Sequence, residues 1–331
     1  MKDPLFTDTL LRWYAEYGRD LPWRRTRDPY AIWLSEIILQ QTRIAQGLAY
    51  WERFMKRFPD VASLAAASED EVLRLWQGLG YYSRGRNLLA AARQIAARGA
   101  FPDTLEDIRV LMGVGDYTAA AIGSFAFDIP AAVVDGNVYR VLARFYGIAT
   151  PVGTTAAKKE FTELAQALLP PDRPGDFNQA MMDFGALQCT PATPQCLTCP
   201  LAARCDALST GRTGLLPVRK PAAAVQTRHL HYVYIRNNGH VAFHRRGPGD
   251  IWQGLWEPYL EEGDGFTGFP DMKQLRSGVK HQLTHRTLIA DFYLYECSEK
   301  PLLADDYIWI PEAELDMYAK PRLIEILLES L

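Results

Sequence analysis

The sequence predicts two domains, an all-helical one followed by one that combines α and β structure. Its 331 residues exceed what a single typical hydrophobic core supports. Helix-forming patterns fill the first 210 residues, whereas alternating apolar strands occur beyond residue 229. Between them, residues 211–228 are rich in Gly, Pro, Ala and basic residues, a composition typical of a linker. We therefore predict domains over residues 1–210 and 229–331.

Composition restricts the possible functions. A hydrophobic content of 48% with 23% charged residues is ordinary for a soluble globular protein. There is no apolar run long enough to span a bilayer and no signal-peptide pattern, so we expect a cytoplasmic protein without a membrane partner. The net charge of −3 requires any nucleic-acid binding to use a local patch. All six histidines lie at or beyond His229, so chemistry in the first two thirds needs other residue types.

A glutamate beside an apolar helical stripe is a candidate acid in the first domain. Asp28 followed by Pro29 predicts a helix start, and Glu36 then lies one turn from Ile32 on that helix. Burial would raise the pKa of Glu36 and keep it protonated near neutral pH. The alternative is a carboxylate at the edge of the stripe that reaches water.

A helix-hairpin-helix is predicted around the two glycines of Gly-Val-Gly. The glycine turn, Gly113 to Gly115, separates a helix-forming run from an apolar helix that starts at Tyr117. Its bare N–H groups could bind a phosphate oxygen, or the segment could be a plain interhelical turn. Asp135 precedes another apolar helix, where it could be an N-cap, a carboxylate set beside bound DNA, or both.

Four of the five cysteines crowd into a spacing of Cys-x6-Cys-x2-Cys-x5-Cys. In an intracellular chain, this clustering indicates a metal site rather than disulfides. From composition alone, zinc is favoured. The four residues are Cys189, Cys196, Cys199 and Cys205.

The second domain begins with a strong hairpin signal. Asn238-Gly239 between apolar strands predicts a type I′ turn, residues 287–295 predict another strand, and residues 321–331 a closing helix.

The hairpin, the Val-Asp-Gly-Asn motif at 134–137 and the cysteine spacing together resemble the helix-hairpin-helix DNA glycosylases that carry an iron–sulfur cluster. Within that superfamily the chain is similar over nearly its whole length to the adenine DNA glycosylases of the MutY family. The resemblance implies an all-helical glycosylase domain with a [4Fe–4S] loop formed by the four cysteines. It also implies a Nudix-like α/β/α C-terminal domain. The Nudix hydrolases need a helix bearing Arg-Glu-x-x-Glu-Glu, and because residues 258–280 contain no such string, we do not expect nucleotide hydrolysis.

The resemblance assigns roles to individual residues of this chain. Glu36 matches the catalytic acid, Asp135 the carboxylate that stabilises the sugar cation, and Tyr117 and Asn137 would orient these two groups. Each residue matching the adenine pocket could instead be structural, and Leu79 could serve both packing and DNA. The pocket matches are Arg19, Trp23, Arg24 and Gln179; the DNA-binding matches are Gln41, Leu79, Tyr81, Gly113 and Gly115, with Thr284 and His285 in the loop that reads 8-oxoguanine.

The implied activity is excision of adenine from A:8-oxoguanine or A:G mispairs in double-stranded DNA, by a monomer. A rival is a pyrimidine glycosylase with lyase activity, but that chemistry uses a lysine amine where this chain has Tyr117. A second rival is a non-catalytic binder of damaged DNA. Two departures from the family pattern are Met112, where proline is usual, and Gln253 in the Trp-Gly-Gly-Leu region.

Overall fold

The computed structural model describes residues 3–220, 225–284 and 286–331. The chain forms two compact units, which are not contiguous in sequence. One comprises Met1–Ala65 and Ala90–Pro221, and the other comprises Ala66–Leu89 and Ala222–Leu331. The domain limits predicted above are not tested by this division and stay a prediction.

The first unit is helical, as predicted. A π-helical turn, Phe184–Gln188, extends its last long helix. Helix α6 (Ser83–Arg98) begins in the second unit and ends in the first. The other helices of the first unit are α1 (Pro4–Tyr17), α2 (Pro29–Leu39), α3 (Ile44–Arg57), α4 (Val61–Ala65), α7 (Leu105–Arg109), α8 (Asp116–Ala126), α9 (Gly136–Tyr146), α10 (Thr155–Leu168), α11 (Pro174–Asp183) and α12 (Asp206–Ser209).

Local sequence signals set the start of α2 and the end of α9, the helices that carry Glu36 and follow Asp135. The carboxylate of Asp28 accepts the N–H of Tyr30, and Pro29 occupies the first position of α2, where no N–H is needed. Helix α9 ends at Gly147, whose φ of +69° allows the left-handed cap. Both helices bury apolar faces in the unit. Their orientation is therefore fixed by packing as well as by capping.

Within its described residues, the second unit contains a six-stranded mixed sheet in the order β4-β5-β1-β3-β2-β6. Among the strand pairs that the structure describes, only β1 and β5 run parallel, over a register from Gln226 opposite Arg286 to Arg236 opposite Glu296. Helix α13 (Arg322–Leu328) packs apolar side chains into the sheet core. The strands are β1 (Gln226–Asn237), β2 (His240–Arg245), β3 (Trp256–Glu262), β4 (Lys273–Gln282), β5 (Arg286–Glu296) and β6 (Tyr307–Pro311).

The hairpin prediction is confirmed. Asn238 and Gly239 have φ values of +47° and +73°, the sign that a type I′ turn requires at both central positions, and Asn237 pairs with His240. The strand predicted at 287–295 and the closing helix are also present as β5 and α13.

Helix α5 (Glu69–Trp76) and the start of α6 belong to the same unit as the sheet. Arg245 of β2 pairs with Glu69 of α5 at 2.9 Å, and the indole of Trp256 donates to Asp70 at 3.4 Å. Arg86 of α6 donates to the carbonyl of Gln253. The region where the sequence departs from the family pattern therefore lies against a helical segment more than 160 residues earlier in the chain.

Part of the predicted linker packs into the first unit. Leu216 is buried in its core, and the N–H of Val152 donates to the carbonyl of Val218 at 2.8 Å. Strand β1 then begins at Gln226. Within the described residues, none of the helices combines the length and apolar character that crossing a bilayer needs.

Candidate active site

Glu36 is buried on α2, as the sequence predicted. Only 6% of the residue is exposed, and burial raises the pKa of its carboxyl group to about 7. The hydroxyl of Tyr117 donates to Glu36 Oε2 at 3.3 Å, which lowers that pKa, as does the charge of Arg24. A carboxyl group with this pKa holds a proton in a large fraction of molecules near neutral pH. It can act as a general acid.

Asp135 caps α9. One carboxylate oxygen accepts the N–H groups of Asn137 and Val138 at 2.9 and 2.8 Å, and the other accepts the side-chain amide of Asn137 at 2.7 Å. Burial raises the pKa of Asp135, although these hydrogen bonds and the charge of Arg140 oppose the rise. The carboxylate is thus held in one orientation by groups that stabilise its ionised form.

Arg140 ties this cap to the loop that contains the cysteines. Its guanidinium donates to the Asn137 side-chain oxygen at 2.7 Å and to the carbonyls of Gly185 and Cys189 at 2.6 and 2.7 Å. A Cβ on Gly185 would lie 2.6 Å from the Cβ of Asn137, so only glycine permits this approach. Arg140 and Gly185 were not predicted, because no local pattern marks contacts between residues about 45 positions apart.

The two carboxyl groups act on each other. The charge of Asp135 raises the pKa of Glu36, and both raise the pKa of Tyr117, which burial already places well above its usual value. Arg24 acts on Glu36 and Tyr117 in the opposite direction. Glu36, Tyr117 and Asp135 therefore lie within electrostatic range of one another. The arrangement places a buried carboxyl group of raised pKa near a second, hydrogen-bonded carboxyl group.

A cavity of about 370 Å³ lies in the same unit. Three of the four residues matched to the adenine pocket, Trp23, Arg24 and Gln179, line it together with Tyr14. The fourth, Arg19, pairs instead with the fully buried Asp183.

Asp183 accepts hydrogen bonds from both arginines that the resemblance matches to the adenine pocket. Arg24 contributes two hydrogen bonds to its carboxylate at 2.7 and 2.9 Å, and Arg19 contributes three more, through both main chain and side chain. Burial raises the pKa of Asp183, but these bonds outweigh burial and hold it below its usual range. Asp183 was not predicted, although its position one turn after Gln179 on α11 could have suggested it.

The glycine hairpin leaves two N–H groups without an acceptor among the described residues. Gly113 has a φ of +79°, whereas Gly115 has a φ of −100°, which any residue can adopt. A Cβ on Gly115 would meet open space, so packing does not explain this glycine. Its N–H group, like that of Gly113, donates to no acceptor in the described residues. Bare N–H groups at the start of α8 suit a phosphate oxygen.

The cysteines are all free thiols, and the four predicted as ligands influence one another. Burial raises the pKa of Cys199 to about 11, with further contributions from Cys189, Cys205 and Cys196. Arg144 donates to the sulfur of Cys189 at 3.4 Å. Across residues 3–220, 225–284 and 286–331, no three His, Cys, Asp or Glu side chains are arranged to hold a metal ion. The other three thiols nevertheless lie close enough to Cys199 to raise its pKa, and thiols are the donors that iron–sulfur clusters use.

The second unit brings Tyr81 and Thr284 together. Their hydroxyl groups are hydrogen bonded, and both residues line a cavity of about 650 Å³. Leu79, two positions before Tyr81 in the sequence, is buried. Gln41 is an exposed residue of the first unit with a φ of +58°. His285 lies outside the described residues.

Family models match both units. Residues 34–171 match the model described as HhH-GPD superfamily base excision DNA repair protein, and residues 231–330 match the NUDIX domain model. A solved structure described as a thermostable thymine-DNA glycosylase superposes with a TM-score of 0.58 and 31% identity, over 62% of this chain and 96% of that one. These matches indicate a protein of the HhH-GPD superfamily of base excision DNA repair proteins.

Similar proteins of known activity identify the family within this superfamily. Adenine DNA glycosylase of Buchnera aphidicola subsp. Acyrthosiphon pisum is 34% identical over 255 residues, which are 76% of this chain and 73% of that protein. That of Mus musculus is 46% identical over 228 residues, 65% of this chain and 44% of the mouse protein. The chain therefore belongs to the adenine DNA glycosylase family. It spans less than half the length of the mammalian relatives it matches.

Proposed function

We propose that the protein is a monofunctional DNA glycosylase that flips adenine out of a mispair with 8-oxoguanine or guanine and excises it. The observation that carries the proposal is the buried Glu36, with a pKa of about 7, within electrostatic range of the anchored Asp135. Extrusion of the target base by about 180° is the usual way in which such enzymes reach a glycosidic bond. The free N–H groups of Gly113 and Gly115 would hold the DNA backbone.

Adenine leaves deoxyribose poorly as an anion, so protonation comes first. The carboxyl group of Glu36 donates its proton to N7, the electron pair of the bond between C1′ and N9 passes to the base, and neutral adenine departs. Asp135 stabilises the resulting oxocarbenium-like sugar electrostatically, as a carboxylate does in retaining glycosidases. Tyr117 and Asn137 orient the two carboxyl groups. Water then adds at C1′ and releases a proton, which leaves an abasic site.

The absence of an amine at the relevant positions argues against a lyase. Position 117 carries a hydroxyl hydrogen bonded to Glu36, and Tyr139, the other candidate position, packs edge-on against Phe161. Neither can form a Schiff base with the sugar. Borohydride should therefore trap no strong covalent adduct with DNA.

Two further parts of the proposal concern the remaining predicted residues. Cys189, Cys196, Cys199 and Cys205 would each hold one iron of a [4Fe–4S] cluster, which would stabilise the loop between residues 189 and 205. Thr284, whose hydroxyl can exchange hydrogen bonds with N7–H and O8, would read 8-oxoguanine together with Tyr81. The DNA partner is double-stranded, and the protein would act on it as a monomer.

Single-turnover excision on matched duplexes tests the proposal. Adenine should be released opposite 8-oxoguanine and guanine but not opposite thymine, and thymine opposite guanine should stay in place. Glu36→Gln should lose roughly 10²- to 10⁴-fold in rate, the usual contribution of a general acid, while still binding the mispair. Thr284→Val should lower the preference for 8-oxoguanine over guanine. Undiminished turnover by Glu36→Gln would overturn the assignment.

A further inference from the structure

Tyr14 and Gln179 form a hydrogen bond at the wall of the 370 Å³ cavity. The Tyr14 hydroxyl, on α1, donates to Gln179 Oε1, on α11, at 2.5 Å. Burial raises the pKa of Tyr14, so the hydroxyl keeps its proton at neutral pH and remains a donor. Trp23 and Ile32 supply large apolar surfaces to the same cavity. A flat, partly polar ligand such as a nucleobase fits such a lining.

The bond defines which end of the Gln179 amide is the acceptor. A glutamine amide that nothing anchors can turn by 180° and exchange its donor and acceptor groups. Here Oε1 is held by Tyr14, and Nε2 donates to no acceptor within the described residues. The amide therefore offers an N–H donor from Nε2 and the second lone pair of Oε1 as an acceptor.

Arg24 does not duplicate this donor. Its guanidinium lies 5.9 Å from the centre of the Tyr14 ring and is already hydrogen bonded to Asp183 and to the carbonyl of Arg19. Gln179 Nε2 is thus an uncharged donor at this cavity that donates to no other group within the described residues. Adenine presents the complement of the held amide, an accepting ring nitrogen beside a donating 6-amino group. Guanine and hypoxanthine carry a carbonyl in place of that amine. The oxygen of that carbonyl would face Gln179 Oε1, which is also an acceptor.

We propose that Tyr14 is a positioning residue that sets base specificity, because its hydroxyl holds the Gln179 amide in the one orientation that fits adenine and opposes a 6-carbonyl purine. The inference rests on the proposed function, and it requires that the flipped base enter this cavity, whose wall includes Ile32, one turn before Glu36 on α2. Tyr14 itself does not touch the reacting atoms. It acts through Gln179.

The test compares two bases in the same duplex. Single-turnover rates are measured with adenine and with hypoxanthine opposite 8-oxoguanine, for the wild type and Tyr14→Phe. Once the amide can turn, the ratio of adenine to hypoxanthine rates should fall about tenfold, the range expected for one well-formed pair of base contacts. Tyr17→Phe is the matched control, because Tyr17 lies on the same helix with 54% of its surface exposed, and it should leave the ratio unchanged.

A purely structural role for Tyr14 predicts a different result. Both rates would then fall by a common factor, the ratio would stay constant, and the inference would be overturned. Gln179→Glu supplies a second test, because its rate of adenine excision can be compared with that of the wild type without the Tyr14→Phe variant. Its ionised carboxylate cannot donate, so adenine excision should fall, and adding Tyr14→Phe should not alter the ratio further. A wild type that releases no adenine refutes the proposed function instead.

Discussion

The burial of Glu36 suits its proposed role as a general acid but opposes the stability of the fold. The burial that raises its pKa to about 7 also disfavours its ionised form in the folded state. The ordinary value for a glutamate is 4.5. The protein therefore loses stability as pH rises between those two values, and the loss is complete above the higher one.

Glu36→Gln should remove this loss. The difference between the two pKa values corresponds to about 3 kcal/mol. The unfolding free energy of the variant, relative to the wild type, should therefore grow by about that amount from roughly pH 4 to roughly pH 8. Urea denaturation at several pH values measures it. Glu160→Gln, at an exposed position of α10, is the control. A constant difference across this range would contradict a buried, ionisable Glu36.

Tyr117→Phe should shift the pH dependence of excision. The Tyr117 hydroxyl stabilises ionised Glu36, so its removal should raise the pKa of Glu36 further. Excision by a protonated acid declines above its pKa, and in the variant that decline should begin at a higher pH. Single-turnover pH–rate profiles measure the shift. Tyr139→Phe, which changes a tyrosine that packs on Phe161, should leave the profile in place.

The start of α9 has an observed role in folding and a proposed role in the reaction. Asp135 supplies the cap that lets the helix begin, and the same carboxylate is the proposed counter-charge for the sugar cation. The two roles need different properties, since a cap needs an acceptor oxygen whereas the sugar cation needs a negative charge. Substitutions can therefore separate them.

Asp135→Asn should keep the helix and lose the reaction. Asparagine caps helices about as well as aspartate, so the melting temperature should change little, while excision should fall by roughly 10²- to 10³-fold with the charge removed. Asp135→Ala should lose the cap as well and destabilise the protein by about 1 to 2 kcal/mol. Calorimetry and single-turnover assays on both variants distinguish the effects. Equal activity of Asp135→Asn and wild type would exclude an electrostatic role.

Elements with a local signal were predictable, and contacts across the sequence were not. Asp28-Pro29 marked the start of α2, and Asn238-Gly239 marked the hairpin, because capping and positive φ depend on adjacent residues. The pairing of Asp183 with Arg19 and Arg24 joins residues about 160 positions apart, which no local pattern specifies. Tyr14 was missed for the same reason, although Gln179 was identified through the family resemblance.

At the scale of the whole molecule, chain order and compact units do not coincide. Residues Ala66–Leu89 cluster with Ala222–Leu331. The division at a linker over residues 211–228 stays a prediction from the sequence. Leu73 and Trp76 of α5 are fully buried, and Gln77 donates to Glu325 of α13. A cut near residue 220 therefore does not release an intact domain.

A fragment ending at residue 220 should be markedly less stable than the full chain. It retains α5 and the start of α6 but lacks every strand of the sheet with which they form one unit. Thermal unfolding and binding of a hydrophobic dye would measure the exposed apolar surface. A control fragment that replaces residues 66–89 with a short Gly/Ser loop should bind less dye. Equal melting temperatures for the first fragment and the full chain would contradict this division.

The discontinuous second unit also constrains how the chain is made. Residues up to Leu89 leave the ribosome about 130 residues before Ala222 does, a delay on the order of ten seconds at ordinary elongation rates. During that interval, α5 and its buried Trp76 have been synthesised but lack the sheet with which they form one unit. Newborn chains should therefore depend on chaperones most strongly just before β1 emerges.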